Sequence, residues 1–95
     1  MEKMHWQRLT ASGQIADGAV LLGGVIATPD GTTKGYCDIH NGASASDPMV
    51  LRVRANVNQS RPVLLHAPIL LDRGLYVHMD GVLESVAVIY ASVTE

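Results

Sequence analysis

Met49-Val50-Leu51-Arg52-Val53-Arg54-Ala55 alternates side-chain character over its last five positions, with Leu51, Val53 and Ala55 on one side and Arg52 and Arg54 on the other. Successive side chains of a strand point to opposite faces, so this stretch predicts a strand laid over a core. The same two-residue rhythm recurs on either side of it. Leu75, Val77 and Met79 share one face, opposite Tyr76, His78 and Asp80. In Lys34 to His40, Cys37 and Ile39 oppose Tyr36, Asp38 and His40. In Val82 to Val93, Val86, Val88 and Tyr90 alternate with Ala87 and Ile89. Val20 to Ala27 is nearly all apolar, as expected of a strand covered on both faces. Trp6 to Ala11 reads as a first strand. Val63 to Leu71 reads as another, interrupted by Pro68, which lacks a ladder donor and implies an edge, a bulge or a sheet crossing.

Turn signals separate these runs. Asp17-Gly18, Asp30-Gly31, Asn41-Gly42 and Asp80-Gly81 are strong hairpin dipeptides, because Asn, Asp and Gly tolerate positive φ. Asp47-Pro48, Asn58 to Pro62 and Asp72-Arg73-Gly74 mark three more breaks. No stretch sustains a 3.6-residue apolar period, so helix content should be near zero. The expected fold is all-β, a small antiparallel two-sheet sandwich of jelly-roll type with about seven strands. Residues 1–95 make one domain, with residues 1–5 expected as a flexible N-terminal arm.

Composition agrees. The chain has eleven Val, five Ile and ten Leu but no Phe. β-branched side chains are stiff at χ1 and pack well on a pleated surface. Net charge is −2 with the histidines neutral, and no basic run exists, which argues against duplex nucleic acid as a partner. Cys37 is the single cysteine, so the chain can form neither an internal disulfide nor a cysteine-based zinc site. It reads as a buried small hydrophobe. The longest apolar run, Ala19 to Ala27, is far short of the ~20 residues a helical membrane span requires. The charged start Met1–Met4 does not resemble a signal peptide, so synthesis and retention in a cytoplasm, or release by lysis, is expected.

Chemistry is sparse. None of the serines lies in a Gly-x-Ser-x-Gly elbow, no Gly-x-x-x-x-Gly-Lys phosphate loop exists, and Gly23-Gly24 has neither the third glycine nor the following helix that would aim amides at a phosphate. Those two glycines instead predict a bend or a close backbone approach. Two same-face pairs, Asp38 with His40 and His78 with Asp80, would bring four metal-type ligands together if their strands were neighbours. Surface strands routinely carry such residues and both pairs abut Gly turns where polarity is expected, which is the favoured reading, and no metal or other cofactor is expected. The same histidines, placed near a subunit contact, would make that contact sensitive to pH. Arg52 and Arg54 read either as edge-strand charges that deter aggregation or as partners for acidic groups on another chain. Tyr36 and Tyr76 face outward and suit either a sugar-stacking platform or burial against a neighbour. Trp6 reads as a core plug or as an anchor on a partner. The candidate interface is therefore Trp6, Tyr36, Arg52, Arg54 and Tyr76, with no catalytic residues and no enzyme activity expected.

Arg8-Leu9 with Ser12-Gly13, Ile15 and Gly18 resembles the opening of a family of small β-sandwich virion proteins of tailed bacteriophages. Pro68-Ile69, then Gly74-Leu75-Tyr76-Val77, the Gly81 turn and the closing Val86-x-Val88-x-Tyr90 continue that resemblance. It spans Arg8 to Tyr90 and rests on glycine and apolar positions; the segment with Cys37, His40 and the paired arginines departs from it. The resemblance implies a structural protein of the virion, capsid decoration or cement or otherwise head-associated, made in the bacterial host cytoplasm. Its implied partners are the major capsid protein or tail and fibre proteins, and its own copies as a trimer. The alternative it implies is a tail or fibre component that binds carbohydrate on a host surface. It brings no catalytic residues with it.

Overall fold

The computed structural model describes residues 4–31, 34–57, 59–80 and 83–93. Eight strands run in chain order: β1 His5–Leu9, β2 Gly13–Ala16, β3 Val20–Pro29, β4 Gly35–His40, β5 Met49–Ala55, β6 Arg61–Leu71, β7 Leu75–Met79 and β8 Leu83–Ser92. No helix occurs among the described residues. One sheet has the order β1-β8-β3-β6 and the other β2-β7-β4-β5. These are called the β3 sheet and the β4 sheet below. Every pairing is antiparallel. This strand order, with eight strands in two sheets, is a jelly roll.

The count exceeds the expected seven because the N-terminal segment holds two strands. The chain leaves β1 in the β3 sheet, crosses over at Thr10 to Ser12, and pairs again as β2 in the β4 sheet. His5, expected in a flexible arm, already pairs with Tyr90 in β1; residues 1–3 of that arm lie outside the described residues. The turn dipeptides mark chain reversals but not strand partners. Only β4 and β5, joined through Asn41-Gly42, are consecutive strands that also pair. Asp17-Gly18 and Asp30-Gly31 lead from one sheet to the other, and Asn58, Gly81 and Val82 lie outside the described residues.

The core fills the space between the sheets. Leu22, Val25 and Ala27 of β3, Val86 and Val88 of β8, and Leu71 of β6 meet Cys37, Ile39, Val53, Leu75 and Val77 from the other layer, all essentially without exposure. The alternation seen in sequence selects these positions, and Leu51 and Tyr90 pack at the core's margin. Val20 to Ala27 departs from expectation. β3 is central and covered on its inner face, but its other face, with Leu21 and Ile26, remains half-exposed.

Pro68 accounts for itself on β6, an edge strand with a large bulge. Between Leu22 and Gly24 of β3, the partner on β6 jumps from Ile69 to Leu64. Residues 65–68 therefore bow away from the ladder, where the missing donor of Pro68 costs nothing. Gly24 sits at this irregularity, and a Cβ there would lie 2.9 Å from Leu64 Cδ2 and 3.0 Å from the Val63 carbonyl oxygen. Glycine permits the close approach.

Burial, and then the nearby charge of Asp38, pushes the Cys37 thiol up to about 11 from its ordinary 9.0. The thiolate is the reactive form. A disulfide reagent at pH 8 is therefore expected to label Cys37 only after denaturant is added. Because the folded thiol holds its proton more tightly, its contribution to stability is complete below pH 9.0 and declines as pH rises towards 11. Rapid stoichiometric labelling of the folded protein would contradict this.

Candidate interaction surfaces

The outer face of the β4 sheet is a layer of polar and aromatic side chains held in rows by strand register. Asp38 of β4 lies between Arg52 of β5 and His78 of β7. Arg52 grips its carboxylate with both forks: Nε donates to Oδ1 at 2.6 Å and Nη2 to Oδ2 at 3.0 Å. The same guanidinium lies 4.3 Å from the centre of the Tyr36 ring, a cation–π contact. Tyr36 in turn meets the His78 ring at 6.4 Å. Asp38 is only 5 % exposed although it points away from the core, because these neighbours cover it.

One step along β4, His40 Nδ1 lies 2.9 Å from the Asp47 carbonyl oxygen. A carbonyl only accepts, so Nδ1 carries the proton and donates. The other ring nitrogen, Nε2, is buried with no hydrogen-bond partner among the described residues. The ring meets Tyr76 edge-on at 6.0 Å. Asp47 organises the β4–β5 loop: its Oδ2 accepts from the backbone N–H of Ala43 at 2.7 Å and Ser44 at 3.1 Å, and its Oδ1 accepts from Arg73 Nη2 at 3.0 Å. The Ala43 N–H first, and then Ser44 and Arg73, hold this carboxyl below its usual range. Asn41 completes the tie. It donates to Asp72 and accepts from the Arg73 backbone N–H, fastening the loop to the β6–β7 turn.

The two His/Asp pairs therefore do lie on neighbouring strands, with Asp38 opposite His78. They do not converge, because Asp38 is turned to Arg52 and His40 to the Asp47 carbonyl. Among the described residues no three His, Cys, Asp or Glu side chains are grouped to hold a metal ion. Of the five candidate interface residues, Tyr36, Arg52, Arg54 and Tyr76 share this face. Trp6 is on the far side of the sandwich, 71 % exposed on β1 of the β3 sheet.

Arg52 and Arg54 look alike in sequence and differ here. Arg52→Met keeps an apolar stem over Tyr36 but leaves the covered Asp38 carboxylate without its countercharge. A lower urea midpoint is expected, with Arg54→Met close to the parent. Replacing both members, Asp38→Leu with Arg52→Met, should recover most of the loss, since the desolvated charge goes with the pair. Equal midpoints for the two single arginine variants would contradict this assignment.

The β3 sheet presents a different outer face. Met4, Trp6, Leu64 and Leu70 are all exposed large apolar side chains on this side. Sequence reading found only Trp6 among them. The available signal was that Leu21 and Ile26 of β3, and Ala87 and Ile89 of β8, are apolar at the positions that point away from the core.

Among the described residues, each face carries a shallow hollow. One of about 340 Å³ lies beside Tyr36, lined also by Lys34, Arg54 and Asn56. Another of about 250 Å³ lies beside Trp6. Comparison with protein-family models, with curated proteins and with solved structures finds no match.

Proposed function

We propose that this chain is a structural protein of a tailed-phage virion, most specifically a capsid decoration or head-associated protein that stabilises the particle through protein–protein contacts. The observation that supports this reading is where the interaction chemistry lies. Exposed aromatic, arginine and aliphatic side chains occupy the broad outer faces of both sheets. Large apolar patches on a small domain mark surfaces that another protein covers. The resemblance of Arg8 to Tyr90 to small virion proteins supplies the biological setting. Jelly rolls are common among capsid domains and among lectins, which is analogy at the level of fold.

The mechanism is mechanical rather than catalytic. Each copy binds where shell subunits meet and favours the assembled state by mass action, and many copies multiply the effect. Arg52 is taken up by Asp38 of the same chain, which leaves Tyr36, Tyr76 and Arg54 to suit a partner face that carries acidic groups. The place of action is the virion, after synthesis in the host cytoplasm. Mass spectrometry of purified particles is expected to detect the chain in stoichiometric amounts with the shell components. Particles that contain every other shell component but lack this chain would end the proposal.

A second reading has one observation in its favour. The hollow beside Tyr36 brings an aromatic ring together with Lys34, Arg54 and Asn56, which is chemistry that also suits a glycan on a host surface. In that case the chain is a tail or fibre module. Arg52 already occupies one side of the Tyr36 ring, which leaves less of it for sugar stacking. Absence of binding on a glycan array at high protein concentration would remove this reading.

A further inference from the structure

We infer that the open side of the sandwich between β5 and β6 is a docking site for an acidic, extended segment of another protein, which adds to the β4 sheet as a strand beside β5. β5 is an edge strand, paired on one side with β4. Every second residue of such a strand turns its backbone N–H and C=O away from the sheet, a row that another backbone matches along its length. Across the opening lies β6, the edge of the other sheet. Arg61 and Val63 stand opposite Ala27 and Val25 of β3, both buried in the core. Opposite residues share a face, so Arg61 and Val63 are on the inner side of β6, turned toward the layer that holds β5. Val63 is only half-buried there, since β5 is the last strand of that layer.

Charge selects the occupant. Arg52, Arg54 and Arg61 line a hollow of about 240 Å³ together with Val53 and Val63. Lys34 and Arg54 line the adjoining hollow beside Tyr36. Four of the chain's seven Lys and Arg thus gather at one corner of a molecule whose net charge is −2, and no Asp or Glu lines either hollow. Arg52 is held by Asp38. Lys34, Arg54 and Arg61 form no ion pair among the described residues. Like charges gathered without a countercharge repel; a carboxylate seated between them relieves that cost, and each guanidinium offers it paired donors. Charges that only deter edge pairing would not need Arg61, which reaches in from the other layer. A second β5 does not fit, because it would set Arg52 and Arg54 against themselves. Nucleic acid has no N–H and C=O row to match the edge. A strand beside β5 turns alternate side chains outward, next to Arg54, and inward, over Arg61 and Val63. The fitting segment therefore carries carboxylates on both of its faces and an apolar side chain two residues from the inward one. This sharpens the acidic partner named above into a strand-adding segment, and it stands whether or not the chain belongs to a virion.

A displayed library of random ten-residue peptides, selected against the full chain, tests it. Enriched sequences should carry two or more Asp or Glu within a run of β-branched residues. A synthetic copy of an enriched peptide should lose roughly thirty-fold in affinity when its carboxylates are replaced by amides. Arg54→Gln and Arg61→Gln, both at exposed positions, should each weaken it by roughly ten-fold with far-ultraviolet spectra like the parent's. Arg8→Gln, on β1 of the other sheet, should leave it unchanged. Methylating one alternate set of the peptide's backbone nitrogens should abolish binding and methylating the other set should not, because one side of the added strand pairs with β5. No enriched sequence, enrichment without acidic residues, equal binding of the amide peptide, binding that survives both arginine substitutions, or indifference to which nitrogens are methylated would each overturn the inference.

Discussion

Leu22→Ala is expected to remove about 3–4 kcal/mol from the unfolding free energy, within the range of large-to-small core substitutions. Leu22 is fully buried on β3, the strand that pairs with both β6 and β8. Its neighbours are poorly able to collapse into the space. The core contains Val, Ile and Leu with no Phe to swing across a gap, and β-branched side chains have few rotamers to offer. The register jump to Leu64 directly follows Leu22, so the cavity would open beside the least regular part of the ladder. A domain of this length has about 5–15 kcal/mol of stability in all, so the variant keeps only a fraction of it. Urea unfolding should show the midpoint reduced by about 2–3 M with an unchanged slope. A loss below about 1 kcal/mol would contradict the packing described here.

Gly74→Ala is expected to cost about 2–4 kcal/mol, although it adds one methyl group and removes nothing. Two effects add. The residue has φ +138°, a conformation that L side chains avoid. Its Cβ would also lie 2.7 Å from the Ala16 carbonyl oxygen and 2.9 Å from that of Gly42. Both obstacles are backbone, one belonging to β2 and the other to the β4–β5 loop, so neither moves without disturbing its own element. Gly13→Ala is the control, since nothing lies within 4 Å of a Cβ there. That substitution should stay within about 1 kcal/mol of the parent. Equal effects at the two glycines, read from urea midpoints, would contradict the close approach at Gly74.

Gly74 also shows how far the sequence is legible. Asp72-Arg73-Gly74 reads as a turn because of its residue types. Nothing local reveals that three chain segments meet there. The strands themselves are legible for a simple reason: inward positions alternate with outward ones, and Leu51, Val53, Leu75, Val77, Val86 and Val88 fall where the rhythm puts them. Pairing is not local, and so Asp17-Gly18 and Asp30-Gly31 pass for hairpin turns when they lead between sheets. The short β2 escapes because Gly13 to Ala16 has neither length nor alternation to mark it.

The surfaces divide in the same way. Arg52 and Tyr36 are visible in sequence as outward residues, but their contact with one another and with Asp38 depends on which strands flank β4. The His/Asp pairs satisfy the condition of neighbouring strands and still fail to converge, since each group has a nearer partner. The apolar face of the β3 sheet is hidden by its own composition. An all-apolar strand reads as core on both sides, and only the two-layer topology shows that one of those sides stays half-exposed among the described residues.

A reconstruction of the purified particle, with density resolved for this chain, bears most directly on the proposal that it acts through its outer faces. It is expected to place intact sandwiches against neighbouring protein, with Trp6 and Leu64 covered and the Tyr36–Arg52 layer turned to a different surface. Sandwiches whose two broad faces both stand open to solvent, or particles with no density for the chain at all, would contradict it.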